Sequence, residues 1–279
     1  MRSTSTLLFT GILFALNPII FAQDQNARIT YIEDLVYGRV HGAGLLADVA
    51  YPKSDKALPV IISVHGGRWR GGHKKDKSTI DVQQWAGFGF FAMSIDYRLV
   101  GASPAPACYQ DFQCAIRYVH AHAEKYNIDP KRIFLIGQSA GGHIVSLAAT
   151  IGDGPWPRTG GWEEASNDFA AAISVAACYE LPTLSWGNIW TPSGKDPDAA
   201  RRAASPVYHI SEDIKPLMII HSDNDRSVPI PNALLMVEAL KKADAEFVFH
   251  HSKDLGHMGI IPEVIEWSLE FIKTQSKDK

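Results

Sequence analysis

The sequence predicts an α/β protein built around a mostly parallel β-sheet. Short runs rich in β-branched residues alternate along the chain with longer runs in which apolar residues recur at helical spacing. Such alternation is typical of βαβ units, because each helix returns the chain so that the next strand can lie parallel to the last. The 279 residues show no linker or internal repeat, so we expect one domain with a large buried core.

Eight strands are predicted for the sheet. Residues 30–37 and 45–51 form an antiparallel pair at its start. The other six strands are more apolar and make up its core; they cover residues 59–64, 90–95, 132–136, 171–175, 217–221 and 247–251. Helices that cover both faces of the sheet are predicted at residues 105–125, 231–242 and 262–273, and the Pro-, Gly- and Trp-rich stretches 152–167 and 180–213 are predicted to be irregular.

The first residues differ from the rest of the chain. Arg2 precedes an apolar run over residues 7–16, an Asn-Pro pair, and a second short apolar stretch that ends at Ala22. This order is typical of a signal peptide. A membrane span needs about 20 consecutive apolar residues, and this segment is shorter and interrupted, so we expect no stable span. We predict cleavage near Ala22, with residues 23–279 forming the folded domain of a secreted or periplasmic protein.

The charge of the chain is small and evenly distributed. Its 27 Lys and Arg residues and 30 Asp and Glu residues give a net charge of −3, and removal of the leader with its one Arg gives 26 − 30 = −4. A nucleic-acid partner requires a basic surface, so the composition argues against one. The sequence leaves the oligomeric state open.

The three cysteines are expected to be free and buried. In an exported protein an odd number of cysteines leaves at least one unpaired. Cys108 and Cys114 lie on one predicted helix, where six residues of rise separate them by about 9 Å. This separation exceeds the reach of an ordinary disulfide, and the sequence leaves open whether either pairs with Cys178.

The strongest chemical signal is a glycine-flanked serine, Ser139. Residues 137–141 read Gly-Gln-Ser-Ala-Gly, directly after the predicted strand 132–136 and before a helical run. A sharp turn from strand to helix projects the serine hydroxyl, and the side chains two positions before and two after it would collide unless both are glycine. The pattern therefore predicts a nucleophile elbow.

A second glycine-rich segment follows the predicted strand 59–64 and reads His-Gly-Gly-Arg-Trp from residue 65. Acyl transfer needs hydrogen-bond donors aimed at a developing oxyanion, and backbone N–H groups of such a loop supply them. Gly67 is our first choice of donor, with Gly66 or Arg68 as neighbours that could contribute. The N–H of Ala140, next to the serine, is the predicted partner donor.

The predicted acid is Asp225, in the loop that leaves strand 217–221. A carboxylate there, at the carboxyl end of a parallel strand, is placed to reach an imidazole. Asp223 is the alternative, but it lies closer to the end of the strand, so we favour Asp225.

The predicted base is His257, in a Gly-containing loop before the last helix. From there its ring can reach Ser139, accept the serine proton and pass it to the leaving group, while a carboxylate fixes its tautomer. His250 and His251 are alternatives, but both lie within a predicted strand and point to opposite faces of the sheet.

Several large side chains are candidates for substrate contact. Arg68 and Trp69 flank the oxyanion loop, and Trp186 and Trp190 fall in an irregular stretch, where they could provide a platform for a sugar or an aromatic acyl group. The alternative is that these tryptophans only pack loops onto the sheet. We expect no metal and no cofactor, because His120 and His122 diverge on a helix and the residues around Asp225 lack the Gly and Glu of a calcium loop.

With these motifs in order, the chain resembles the α/β-hydrolase superfamily, from about Leu45 to the last helix. Within it, the chain is similar to the group that joins hormone-sensitive-lipase-like esterases, bacterial carbohydrate esterases and feruloyl esterases. The matching segments are residues 65–67, 137–143, Asp225 with the Val-Pro at 228–229, residues 256–257, and 127–133 leading into the elbow strand.

This resemblance implies an α/β-hydrolase fold and a serine esterase that acts through an acyl-enzyme. Arg68 departs from the third glycine of many lipase-like members, and the N-terminal portion is too short for a large helical cap. Both departures favour acetyl or feruloyl esters of plant polysaccharides as substrates. Enzymatic alternatives are a general short-chain carboxylesterase, a polyester hydrolase and an exopeptidase, and the non-enzymatic one is a binding module that retains the fold.

Overall fold

A computed structural model describes residues 28–190 and 196–276, so the predicted signal segment 1–22 lies outside the described residues. Eight strands form one sheet in the order β1-β2-β4-β3-β5-β6-β7-β8, and all eight were predicted. They are Ile29–Val40 (β1), Ala43–Pro52 (β2), Leu58–Val64 (β3), Phe91–Ile95 (β4), Ile128–Gln138 (β5), Ala171–Val175 (β6), Leu217–Ser222 (β7) and Phe247–Ser252 (β8). The pairs β1-β2 and β2-β4 are antiparallel, and the others are parallel.

The helices cover both faces of this sheet, which confirms the predicted fold class. They are Val82–Gly87 (α1), Ala107–Ala121 (α2), Ala140–Ile151 (α3), Pro197–Ala203 (α4), Ile230–Lys242 (α5) and Pro262–Gln275 (α6). Buried residues of α2, α3 and α5 belong to one apolar cluster, and those of α1 and α6 belong to a second cluster on the other face. In the described residues no helix is long and apolar enough to cross a membrane.

Two regions differ from the prediction. Helix α1 (Val82–Gly87) was not predicted, and the second region has more helix than expected. The stretch 180–213, predicted to be irregular, contains α4 and three short 3₁₀ helices. Helix α4 begins because the carboxylate of Asp196 accepts hydrogen bonds from the N–H groups of Asp198 and Ala199, and Pro197 sits in the first turn, where its missing N–H costs nothing. The predicted helix 105–125 is shorter, ending at Ala121.

Cys108, Cys114 and Cys178 are free and buried, as predicted. Both Cys108 and Cys114 lie on α2, where the helical rise keeps their sulfur atoms apart.

The topology brings four loops to one edge of the sheet. Strands β3, β5, β7 and β8 run parallel, so the loops that follow them all leave the same, carboxyl edge. Val64 at the end of β3 pairs with Gly137 of β5, and Ser222 at the end of β7 pairs with Ser252 of β8. Ligands of open α/β sheets bind outside this edge.

Candidate active site

Ser139 occupies a strained turn between β5 and α3. Its backbone angles are φ 53° and ψ −116°, a conformation that a residue with a side chain rarely adopts. Its N–H donates to the carbonyl of Val175 (2.8 Å), and its carbonyl accepts from the N–H of His143 (2.9 Å). Strain of this kind persists only where the surroundings impose it, and it is concentrated at functional sites.

The glycines around Ser139 are required by the backbone packing. A Cβ at Gly137 would lie 2.3 Å from the carbonyl carbon and oxygen of Gly141, and a Cβ at Gly141 would lie 2.0 Å from the carbonyl oxygen of Val64. Gly142 is also confined, because a Cβ there would lie 2.7 Å from the Cβ of Ala177. Any larger residue at these positions would have to displace backbone, so the elbow is fixed by steric exclusion.

The loop after β3 lies against this elbow. A Cβ at Gly66 would lie 3.2 Å from the Cβ of Ser139, which places the backbone of the loop beside the serine. Gly67 has φ 103° and is exposed, and its carbonyl accepts from the N–H groups of Arg70 and Gly71, both at 3.1 Å. This tight turn holds the carbonyl of Gly67 within the loop.

The three predicted oxyanion donors differ in whether their N–H groups are already hydrogen-bonded. The N–H of Gly66 donates to Ser78 Oγ at 3.1 Å, so our inclusion of Gly66 as a donor is wrong, because that N–H is already engaged. Among the described residues, the N–H groups of Gly67 and Ala140 have no acceptor. Two N–H groups beside a serine hydroxyl have the composition of an oxyanion hole.

Two residues that the sequence analysis did not identify support this loop, Ser78 and Tyr97. The hydroxyl of Tyr97 lies 3.2 Å from the carbonyl oxygen of His65 and 3.3 Å from that of Gly66, and its ring stacks on His65 at a centroid distance of 4.1 Å. Burial lowers the pKa of His65, so the ring is neutral, and its Nδ1–H donates to the carbonyl of Gly66 at 2.7 Å.

Asp225 and His257 are hydrogen-bonded to each other. Nδ1 of His257 lies 2.8 Å from Oδ2 of Asp225, and because a carboxylate only accepts, Nδ1 carries the proton and Nε2 is left as the acceptor. The other oxygen of Asp225 accepts from the N–H groups of Ser227 (2.8 Å) and Val228 (2.9 Å). Burial raises the pKa of Asp225, but the hydrogen bonds from His257 and from Val228 outweigh it, so the pKa lies below its usual value.

Side chains of the β7 loop hold the loop that carries His257. Oδ1 of Asn224 accepts from the N–H of Gly256 at 2.7 Å, and Ser222 Oγ accepts from the N–H of Leu255 at 3.0 Å. Asp223, the alternative acid, accepts from the N–H of Asp254 at 3.1 Å. The three residues before Asp225 therefore position the loop of the histidine.

The alternative histidines have other partners. His250 stacks on Trp267 at a centroid distance of 4.8 Å, and His251 stacks on Phe249 at 5.6 Å. Both lie within β8, and each ring packs against an aromatic neighbour.

The elbow and the histidine loop are joined by one hydrogen bond. Nε2 of Gln138 donates to the carbonyl of Met258 at 2.8 Å. Gln138 directly precedes Ser139, and Met258 directly follows His257. The structure therefore brings the loops of the predicted nucleophile and base into contact, with the side chain of His257 28 % exposed and accessible from solvent.

The predicted aromatic platform is mostly core. Trp69 is fully buried and Trp190 is 1 % exposed, and both rings pack against His143 at centroid distances of 5.1 and 5.0 Å. Trp69 as a substrate contact is wrong, because its ring is fully buried. Trp190 is among the residues that line a cavity of about 500 Å³. Trp186 is half-buried, and its Nε1–H donates to the carbonyl of Ser227 at 3.0 Å.

The elbow serine, the glycine loop and the hydrogen-bonded Asp225–His257 pair all lie at the carboxyl edge of one sheet, which is the arrangement typical of the α/β-hydrolase fold. Residues 47–181 match the BD-FAE family model. Over this segment the chain resembles the BD-FAE family, and its sheet has the α/β-hydrolase fold that the sequence predicted.

Curated relatives carry esterase names. The chain is 30 % identical over 230 residues to the probable carboxylic ester hydrolase LipM of Mycobacterium tuberculosis, covering 78 % of this chain and 53 % of LipM. It is 26 % identical over 203 residues to esterase LipC of the same organism, covering 67 % of this chain and 49 % of LipC. The chain thus spans about half the length of the curated relatives it matches.

Solved structures share the fold over nearly their whole length. A truncated carbohydrate esterase from gut microbiota superposes with a TM-score of 0.80 at 23 % identity, covering 91 % of this chain and 99 % of that one. An acetyl ester-xyloside bifunctional hydrolase from Caldicellulosiruptor lactoaceticus has a TM-score of 0.73 at 26 % identity, covering 88 % and 94 %.

Proposed function

We propose that this protein is a serine esterase that hydrolyses carboxylic esters through Ser139, His257 and Asp225. One observation carries the proposal. Ser139 lies on a strained elbow, and its neighbour Gln138 is hydrogen-bonded to the loop of His257. His257 is in turn hydrogen-bonded to the buried carboxylate of Asp225 at 2.8 Å. The relatives named as esterases support the same reaction class.

The first half-reaction forms an acyl-enzyme. Nε2 of His257 takes the hydroxyl proton of Ser139 as the oxygen attacks the ester carbonyl, and the N–H groups of Gly67 and Ala140 stabilise the resulting oxyanion. The bond to the alcohol oxygen then breaks, and His257 gives its proton to the departing alcohol. Asp225 keeps the ring oriented and stabilises its charged form.

The second half-reaction regenerates the serine. His257 removes a proton from a water molecule that attacks the acyl carbon, the same two N–H groups stabilise the second oxyanion, and the bond to Ser139 Oγ breaks as His257 returns the proton to it. The products are a carboxylic acid and an alcohol.

We propose esters on plant polysaccharides, acetyl or feruloyl, as the substrates. The match to the BD-FAE model and the similarity to proteins named as a carbohydrate esterase and an acetyl ester-xyloside hydrolase support this choice. A polymer must be cut outside the cell, which agrees with our proposal that the first 22 residues direct export and are removed. The mass of the mature chain tests the cleavage.

The test compares wild type with Ser139→Ala on acetylated xylan, methyl ferulate and p-nitrophenyl acetate. We expect kcat to fall by about 10⁴-fold or more in the variant. Ser146→Ala is the matched control: Ser146 lies on the same helix, and its hydroxyl donates only to the carbonyl of Gly142, so kcat should stay within about threefold.

Each outcome decides a different part of the proposal. Turnover by Ser139→Ala at the parent rate would contradict the assignment of the nucleophile. Hydrolysis of p-nitrophenyl acetate with no release of acetate from xylan and none of ferulate would reject the polysaccharide substrates and leave the reaction class standing.

A further inference from the structure

Arg68 stands out among the arginines of the described residues. Six of them are buried or half-buried: Arg68, Arg98, Arg117, Arg132, Arg158 and Arg201. Five of the six donate side-chain hydrogen bonds to carboxylates, carbonyls or an amide oxygen. The side chain of Arg68 donates none to a described residue, and it takes part in no ion pair with one. A guanidinium has five N–H donors. The guanidinium of Arg68 is partly removed from water, and none of its donors has an acceptor within residues 28–190 and 196–276.

The guanidinium of Arg68 is nonetheless held in place. Its Cζ lies 5.2 Å from the centroid of the Trp186 ring, and that ring is fixed by its hydrogen bond to the carbonyl of Ser227. The backbone of Arg68 has φ 54°, in the left-handed region, so the turn also fixes the direction in which the side chain leaves. A guanidinium over an aromatic ring contacts it with its flat face. The N–H donors around its edge stay available to a ligand.

The stacked pair borders the candidate active site on two sides. Arg68 directly follows Gly67, the first oxyanion donor, and Gly66 packs against Ser139. Trp186 is anchored to Ser227, whose N–H binds Asp225. Arg68 and Trp186 therefore connect the loop of Gly67 to the loop of Asp225. They lie beside the position that an ester would occupy next to Ser139.

We propose that Arg68 binds a carboxylate on the substrate, so that the protein prefers esters carrying an acidic group near the scissile bond over neutral esters of the same size. The inference rests on the proposed esterase function. A carboxylate matches the N–H edge of a guanidinium with two parallel hydrogen bonds. Because Trp186 already orders the side chain, little conformational entropy remains to be lost on binding.

Two pairs of esters show on which side of the ester bond the acid is bound. For the acyl side, p-nitrophenyl hydrogen succinate is compared with p-nitrophenyl 4-methylpentanoate, in which an isopropyl group replaces the carboxylate. For the alcohol side, 4-acetoxybenzoate is compared with 4-isopropylphenyl acetate. In each pair the measured quantity is the ratio of kcat/KM for the acidic ester to kcat/KM for the neutral one.

In at least one pair, we expect Arg68→Gln to lower this ratio by about tenfold or more. Arg68→Lys should retain part of the preference for the acidic ester, because lysine keeps the positive charge but cannot form two parallel hydrogen bonds to a carboxylate. Arg70→Gln is the matched control: Arg70 is exposed on the same loop, so the ratio should stay within about twofold. The wild-type ratio should also fall as NaCl is raised from 20 to 500 mM, because screening weakens an ion pair at the rim of the site.

This inference is overturned if Arg68→Gln changes the ratio by less than twofold for both pairs, or if the wild-type ratio does not depend on salt. In either case, hydrolysis of the neutral esters would leave the esterase function intact. An equal fall in Arg70→Gln overturns it too, because the effect would then be general charge and not Arg68. If wild type hydrolyses none of the four esters, the esterase function itself fails, and the inference with it.

Discussion

The two halves of the candidate active site are held by different forces. Around Ser139, glycine backbones pack so closely that an added Cβ would meet carbonyl atoms at 2.0 to 2.3 Å. Around His257, side chains of Ser222, Asp223 and Asn224 hold the loop by hydrogen bonds to its N–H groups. The proposed nucleophile is thus fixed by steric exclusion and the proposed base by hydrogen bonds. We therefore expect the elbow of Ser139 to tolerate no added atom, and the loop of His257 to adapt to substitution.

The largest effect should come from Gly141→Ala on the elbow side. Its Cβ would lie 2.0 Å from the carbonyl oxygen of Val64, a backbone atom inside the sheet that cannot move away. We expect no soluble folded protein, or a loss of more than about 4 kcal/mol in the free energy of unfolding, measured by urea denaturation. Gly101→Ala is the control, because a Cβ there meets nothing within 4 Å, and it should change stability by less than about 0.5 kcal/mol.

On the acid–base side, Asp225→Asn should leave the fold intact and lower kcat by about 10⁴-fold, because an amide holds the wrong tautomer of the histidine. Asp223→Asn keeps an oxygen that can accept from the N–H of Asp254, so kcat should fall by less than about tenfold. The measurement is kcat on p-nitrophenyl acetate for both variants. The reverse order of the two losses would assign the acid to Asp223.

The two halves should also respond to acid in different pH ranges. Burial lowers the pKa of His143, on the elbow helix, from 6.5 to about 4, so the unfolded chain binds more protons than the folded one between these values. Stability therefore falls as the pH drops through this range, by about 2 kcal/mol at pH 5 from this residue. The pKa of Asp225 is lowered, so its contribution is present above the usual value of 3.8 and is lost only at lower pH.

Urea unfolding of wild type and His143→Gln at pH 7.5 and pH 5.0 separates these ranges. A glutamine side chain can still donate to the carbonyl of Ala204, as Nε2 of His143 does at 2.7 Å, but it does not titrate. We expect the loss of stability between the two pH values to be smaller by about 2 kcal/mol in the variant. An equal loss in both proteins would mean that His143 is not a neutral buried group.

The comparison also explains which features the sequence could predict. The elbow was predictable because its constraint is local: glycines at 137 and 141 are required by the turn itself. The central strands β3, β4, β6 and β7 were predictable because their apolar runs are buried on both faces. Asp225 and His257 were identified from their place after β7 and β8, since parallel strands bring such loops to one edge.

The features that were missed depend on long-range contacts. Ser78 and Tyr97 reach the oxyanion loop from 12 and 31 positions away along the chain, and no local pattern marks them. Trp69 was a candidate substrate contact because it flanks a glycine-rich loop, yet it is buried against Trp190 and His143, which come from other segments. Helix α4 carried a readable signal, an Asp-Pro start, that the surrounding Pro and Gly residues obscured.

The most direct test of the central claim is covalent labelling with a fluorophosphonate. Attack by an activated serine forms a bond from oxygen to phosphorus and expels fluoride. We expect peptide mass spectrometry to find one adduct, on Ser139, and the labelling rate to fall by about 10²–10⁴-fold in His257→Gln. An adduct on another residue, or a rate unchanged in His257→Gln, would contradict a nucleophile on the elbow activated by the histidine beside it.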